Sequence, residues 1–182
     1  ELLGRPGFRR VVTCTTREPR DGEEDGRHYH FLCEEEFQKR IASKQFLEHA
    51  RVHKRLYGTP WGAVEEGMRA GDNVLLNIDV QGAARIREVL KGDPQVEGLE
   101  ILRNKVTSIF LLPPDLEELE RRLSSRDTDS EEEVKTRLER ARKEIEEKDK
   151  YDIQVINGDL SEAVSEILSS IGYSGKTRVQ TR

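Results

Sequence analysis

The sequence predicts an α/β fold in which a mainly parallel sheet is covered by helices on both faces. Two strand-like runs, VLLNI and SIFLL, are almost continuously apolar, which is typical of parallel strands buried on both faces. Helical patterns alternate with such runs along the chain, as in strand–helix–strand units. We expect a smaller strand-rich lobe at about residues 15–60 to interrupt this core, since the run HYHFL in it alternates and differs from the continuously apolar runs.

Length and composition favour one domain over residues 1–182, with 34% hydrophobic and 37% charged residues. The net charge of −5 argues against nucleic-acid binding, which needs a basic face. The sequence shows no membrane-spanning run and no signal-peptide pattern, so we expect a cytoplasmic protein without a membrane partner. Cys14 and Cys33 are expected to be reduced, buried thiols in strands.

Short apolar runs bounded by turn residues predict strands at 11–14, 29–32, 74–78, 108–112 and 153–156. HYHFL, in the second of these, alternates and is expected to have one wet face. Apolar spacings of three and four predict six helices. Five are marked by Phe37 and Ile41, by Val64 and Met68, by Ile86 and Val89, by Leu116, Leu119 and Leu123, and by Leu160, Val164 and Ile167. The longest spans about 130–148, with Ser130 and Glu133 as a capping box.

A pair of arginines in TCTTREPRDGEEDGRHYHF marks a candidate anion site. Arg17 and Arg20 are separated by Glu18 and Pro19, and the proline holds the backbone extended, so that both guanidinium groups can donate to one phosphate. The hydroxyl groups of Thr13 and Tyr29 could add donors. The alternative is a solvated loop in which the arginines pair with the acidic residues Glu18, Asp21, Glu23 and Glu24.

A carboxylate in an apolar stretch marks a second candidate. Glu48 lies in FLEHA, where a carboxylate needs a specific donor. Tyr57, Gly58 and Thr59 are expected to form a turn that presents two hydroxyl groups. The alternative is an ordinary strand carboxylate facing water, beside an ordinary turn.

The strand-like run NVLLNI is followed by Asp79, a glycine and a helix. This places Asp79 at the carboxyl edge of the predicted sheet, where ligands of open α/β sheets bind. Asp79 could orient the water shell of a metal or a catalytic arginine or lysine. The alternative is that it caps the following helix.

Three further arginines, Arg122, Arg126 and Arg137, flank a short polar loop between two predicted helices. They could neutralise charge on a phosphoryl group during its transfer. The alternative is a solvated helix face with ion pairs four residues apart, such as Glu133 with Arg137.

These segments resemble the guanylate kinase family in order and spacing, from about residue 11 to residue 171. TTREPRDGEEDGRHYHF is similar to the family's GMP-phosphate signature, and FLEHA, YGTP, NIDVQGA, FLLPP and RDTDSEEE match further blocks. The resemblance implies a P-loop nucleoside monophosphate kinase fold with a GMP-binding lobe at about 15–60 and a helical lid at about 115–137. The tail from residue 172 is expected to be flexible.

The resemblance also implies roles for the marked residues. Glu48 and Thr59 match the residues that recognise guanine. Asp79 matches the second acid of the family's D-I-D strand end, and Asn77 replaces the first, which removes a charge from the GMP site. The residues that match those holding the GMP phosphate are Thr13, Arg17, Arg20, Tyr29 and Tyr57.

The implied reaction converts ATP and GMP to ADP and GDP in purine nucleotide metabolism. The sequence does not choose between a monomer and a dimer. Mg²⁺ enters with ATP, without direct protein ligands. Arg122, Arg126 and Arg137 match the lid arginines, which close over ATP and assist transfer.

One family motif does not occur in the 182 residues. It is G-x-x-G-x-G-K-[ST], the loop that cradles the ATP phosphates. We therefore expect this chain by itself to be an inactive kinase. The alternative is a non-catalytic guanylate kinase-like module that binds phosphopeptides or protein partners.

Overall fold

The computed structural model describes residues 1–52, 54–91, 101–102, 105–124 and 131–173, without the side chains of Glu131 and Glu133. In these ranges the strands are β1 (Phe8–Arg10), β2 (Cys14–Thr15), β3 (His30–Phe31), β4 (Phe46–Val52), β5 (Arg55–Pro60), β6 (Asn73–Leu75), β7 (Ile109–Leu112) and β8 (Ile153–Ile156). The helices are α1 (Glu34–Ala42), α2 (Trp61–Arg69), α3 (Val80–Leu90), α4 (Leu116–Ser124), α5 (Glu131–Ile145) and α6 (Leu160–Ser170). The chain divides into two units, Glu1–Val106 and a second beginning at Thr107.

A parallel strand pair and two helices build one part of the first unit. β1 pairs with β6 in parallel, with Phe8 opposite Asn73. Arg9 secures this pair to α2, since its Nε donates to Asp72 at 2.7 Å and its Nη1 to Glu66 at 2.9 Å. The apolar core beside these elements contains the buried residues Val11, Leu47, Val64, Ile86, Val89 and Leu102.

A mixed four-stranded sheet forms the other part of the first unit, in the order β3-β2-β5-β4. β5 is antiparallel to both of its neighbours. Below the sheet the rings of Phe37 and Phe46 stack with 4.6 Å between their centres. A Cβ atom at Gly58 would lie 3.0 Å from each ring, so only glycine fits here without displacing them. Because strand side chains alternate between faces, Tyr57 and Thr59 project from the opposite face.

The second unit contains β7 and β8, which pair in parallel with Ile109 opposite Ile153. Asp159 begins α6 by accepting hydrogen bonds from the backbone N–H groups of Ser161 and Glu162, which otherwise lack partners in a first helical turn. No helix among the described residues of either unit is long and apolar enough to cross a membrane.

The α/β fold class and the parallel pairing are confirmed, and each predicted helix has a counterpart in α1 to α6. The capping box at Ser130 and Glu133 lies outside the described residues and side chains. Burial on both faces is wrong for parts of the two apolar runs, because Asn77 is exposed and Leu111 is 53% exposed. β7 and β8 form a two-stranded sheet, and most side chains on its two faces remain partly in solvent.

Several strand predictions are corrected by the structure. The predicted turn at 57–59 is wrong, since these residues lie within β5. In place of the strand predicted at 11–14, the structure has two short strands, β1 ending at Arg10 and β2 beginning at Cys14. The strand predicted at 29–32 is shorter, since β3 contains only His30 and Phe31, both half-buried. Cys14 is buried in β2, whereas Cys33 is exposed and precedes α1, where its thiol accepts the N–H of Glu36.

Candidate functional site

A buried carboxylate and a buried hydroxyl group face each other across β4 and β5, where Glu48 is opposite Thr59. The Thr59 hydroxyl donates to Oε1 of Glu48 at 2.5 Å, and Glu48 is only 5% exposed. Burial raises the pKa of Glu48; hydrogen bonding from Thr59 opposes this shift, and the charge of Asp79 adds to it. Glu48 is therefore a desolvated acceptor that gains from any further N–H donor.

Asp79 lies beside this pair, at the start of α3. Its Oδ1 accepts the backbone N–H of Gly82 at 2.9 Å, so the capping role given as the alternative is confirmed. Because its charge acts on the pKa of Glu48, Asp79 also contributes to the electrostatics of the pair. Asn77, two residues earlier, is exposed.

An arginine and two tyrosines form a second cluster in the first unit. The Arg17 guanidinium carbon lies 5.0 Å from the centre of the Tyr29 ring, within the range of a cation–π contact. The Tyr29 and Tyr57 rings meet edge to face with 6.1 Å between centres. Tyr57 extends from the same face of β5 as Thr59, so this strand carries one residue of each cluster.

Glu23 holds Arg17 in place. Nη1 and Nη2 of Arg17 donate to its two carboxylate oxygens at 2.6 and 2.7 Å, and the backbone N–H of Arg20 donates to the same carboxylate at 2.8 Å. Hydrogen bonds from Arg17 and Arg20 lower the pKa of Glu23 to about 2. The pairing of Arg17 with an acidic neighbour, given above as the alternative, is thus present. The sequence does not distinguish Glu23 from the other acidic residues near Arg17. Gly22 is the sequence signal for a turn before Glu23, and in the structure its φ is 80°.

We expect the Glu23 carboxyl group to titrate near pH 2 in the folded protein. A folded-state pKa below the unfolded value means that this pair stabilises the fold above the ordinary glutamate pKa. The contribution is lost as the pH falls toward about 2. Side-chain carboxyl NMR measures the midpoint, and in an Arg17→Ala variant it should return to the ordinary glutamate range. A midpoint in that range for the unmodified chain would contradict the pairing.

Thr13 and Arg20 lie near these residues in sequence and differ from each other in exposure. Thr13 is half-buried between β1 and β2, where its carbonyl accepts the N–H of His30 at 2.9 Å. Arg20 is exposed. The first unit thus brings together Glu48, Thr59 and Asp79, and separately Arg17, Tyr29 and Tyr57.

Two of the three further arginines are described, both in the second unit. Arg122 donates from Nε to Glu118 at 2.7 Å and from Nη2 to the carbonyl of Asn157 at 2.8 Å. Arg137 is half-buried in α5, and Arg126 lies outside the described residues. Across the described part of the chain, no three His, Cys, Asp or Glu residues are grouped to hold a metal ion.

Comparisons with known proteins match the chain to one family. A family model described as guanylate kinase matches residues 5–172. The guanylate kinase of Wolbachia sp. subsp. Brugia malayi is 42% identical over 160 residues, which are 88% of this chain and 76% of that protein. The guanylate kinase of Clostridium perfringens strain SM101 is 43% identical over 168 residues, which are 92% of this chain and 71% of that protein.

A solved structure, the guanylate kinase from Anaplasma phagocytophilum, superimposes with a TM-score of 0.73 at 30% identity, covering 94% of this chain and 78% of that one. The fold and these matches define a nucleoside monophosphate kinase-like protein. More particularly, the chain belongs to the guanylate kinase family.

Proposed function

We propose that this protein binds GMP and transfers the γ-phosphoryl group of ATP to it, giving GDP and ADP. Its membership of the guanylate kinase family supports a kinase function. The observation that carries the choice of GMP is the buried Glu48–Thr59 pair. Strand β5, which contains Thr59, also contains Tyr57 of the cluster formed with Arg17 and Tyr29.

Glu48 reads the base in this proposal. Guanine presents a ring N–H and an exocyclic amine side by side, and an ionised carboxylate can accept from both. Adenine offers an acceptor at the corresponding ring nitrogen, which would face the Glu48 carboxylate without a hydrogen bond. A buried polar group left without its partner is costly, so Glu48 favours guanine and rejects adenine.

The arginine–tyrosine cluster holds the phosphate in this proposal. Arg17 has more N–H donors than Glu23 and the carbonyl of Glu18 take up, and the hydroxyl groups of Tyr29 and Tyr57 can add donors. Thr13 and Arg20 complete the set. Contacts to Glu23 and the Tyr29 ring orient the Arg17 guanidinium before the ligand arrives, which lowers the cost of binding.

The remaining assignments concern ATP. Arg122, Arg126 and Arg137 neutralise charge on the transferring phosphoryl group. Asp79 would help to orient the water shell of the Mg²⁺ that accompanies ATP, whereas Asn77 belongs to the GMP site. Mg²⁺ enters as part of the MgATP substrate. The proposal includes a cytoplasmic location, which the free thiols of Cys14 and Cys33 support. It also includes a role in purine nucleotide metabolism. The protein acts as a monomer or dimer and binds neither nucleic acid nor membrane.

We also propose that the 182-residue chain alone binds GMP without turnover, because the G-x-x-G-x-G-K-[ST] pattern does not occur in it. Titration calorimetry should show binding of GMP and much weaker binding of AMP and of a phosphoserine peptide. Incubation with MgATP and GMP should release no ADP. Equal affinity for AMP would overturn base recognition, a preference for the phosphopeptide would support the binding-module alternative, and ADP release would show that the chain is catalytically complete.

A further inference from the structure

Gly82, the third residue of α3, lies directly against the Glu48 carboxylate and is itself buried. A Cβ atom at this position would be 3.0 Å from Oε2 of Glu48 and 3.3 Å from Cβ of Ile78. Both distances are shorter than ordinary van der Waals contact, so a side chain here requires its neighbours to move.

The two oxygens of Glu48 have different surroundings. Oε1 accepts the Thr59 hydroxyl at 2.5 Å, whereas Oε2 lies over Gly82. The N–H of Gly82 is already donated to Asp79, so the main contribution of Gly82 to Glu48 is the space left by its missing side chain. That space also lets the carboxylate approach the N-terminal end of α3, where the helix dipole favours negative charge.

We infer that Gly82 is a positioning residue for base specificity: its missing side chain allows Glu48 to occupy the place from which it accepts the guanine N–H groups. This inference rests on the proposed function, in which Glu48 reads the base. Alanine at position 82 would push Oε2 away while Thr59 still holds Oε1, so the carboxylate would be displaced or rotated. Its alignment with both guanine donors would be lost, and hydrogen bonds weaken steeply with misalignment.

The effect on binding can be separated from any effect on folding. Alanine is a better helix former than glycine, and the atom that it approaches most closely is the end of a long side chain. We therefore expect Gly82→Ala to melt within a few degrees of the unmodified chain. Gly62 gives a matched control, since it lies in the first turn of α2 and a Cβ atom there meets nothing within 4 Å.

The test compares GMP with ribose 5-phosphate, which carries the same phosphate but no base, by titration calorimetry on the full chain. Gly82→Ala should weaken GMP binding about tenfold or more and leave ribose 5-phosphate binding unchanged, while Gly62→Ala should change neither. In a Glu48→Gln background, Gly82→Ala should cause little further loss, because both substitutions act through the same carboxylate.

Three outcomes would overturn the inference: unchanged GMP binding in Gly82→Ala, equal weakening of both ligands, or full additivity with Glu48→Gln. Failure of the proposed function looks different. In that case the unmodified chain does not prefer GMP to ribose 5-phosphate, or Glu48→Gln alone has no effect, and the inference falls with it.

Discussion

Glu48→Gln should weaken GMP binding about 100-fold and leave ribose 5-phosphate binding unchanged. Glutamine keeps the length of the side chain but replaces the negative acceptor with a neutral amide, one end of which is itself a donor. Hydrogen bonds to charged groups contribute roughly 1.5–3 kcal/mol each, and a 100-fold loss corresponds to about 2.7 kcal/mol. Titration calorimetry with the two ligands measures both effects.

The stability of this variant should not fall. Because burial raises the pKa of Glu48, folding disfavours its ionised form, and this destabilises the native state above the ordinary glutamate pKa. Glutamine carries no charge, so we expect a Tm equal to or above that of the unmodified chain. In the unmodified chain, GMP affinity should fall as the pH drops through the raised pKa of Glu48, while Glu48→Gln should not show this dependence.

Glu34→Gln is the matched control, since Glu34 is exposed and its carboxylate pairs with Arg51. It should bind GMP like the unmodified chain. If Glu48→Gln weakened GMP and ribose 5-phosphate equally, the base-reading role of Glu48 would be wrong.

Arg17→Ala should weaken GMP and ribose 5-phosphate by the same factor, about 10- to 100-fold. Both ligands present the phosphate that this guanidinium is proposed to bind. The loss has a second source, because Glu23 then loses the guanidinium group that pairs with it and its negative carboxylate stays near the phosphate. Arg17→Lys should recover only part of the affinity, since an ammonium group cannot donate as a planar fork.

Arg27→Ala is the control for this experiment. Arg27 lies in the same segment, its side chain is 72% exposed, and it pairs with Glu24. We expect no change in the affinity for either ligand. Unchanged binding of GMP by Arg17→Ala would reject the phosphate-binding role, and a loss confined to GMP would assign Arg17 to the base instead.

The sequence predicts those parts of the fold that depend on local patterns. The periodicity around Phe37 and Ile41 predicts α1, and an aspartate before a helix predicts the cap made by Asp79. The segment YGT looks like a turn because glycine and polar residues are common in turns. Gly58 instead lies in a strand that pairs with both β2 and β4, and the rings of Phe37 and Phe46 leave no room there for a side chain. Contacts between residues distant in sequence are not visible in a local pattern.

In the candidate site, too, the sequence indicates individual residues but not the contacts between them. Family resemblance proposes Glu48, Thr59 and Arg17 together, yet it does not show that Glu48 and Thr59 are directly opposite in β4 and β5. Nor can it choose Glu23 among four acidic neighbours of Arg17, because that choice depends on the path of the turn at Gly22. Contacts that depend on the course of a loop are set by the three-dimensional path of the chain and not by its local sequence.

Strand β5 fixes the distance between the backbone positions of Tyr57 and Thr59 as well as the face from which their side chains project. It is bonded to β2 beside Tyr57 and to β4 beside Thr59, so the backbone between these residues cannot stretch. Two residues of extended strand span about 7 Å. If Tyr57 contacts the phosphate and Thr59 the base, β5 sets the distance between the groups that bind the two ends of a mononucleotide. A ligand with the right base and the right phosphate but a longer or shorter link between them could satisfy one end only.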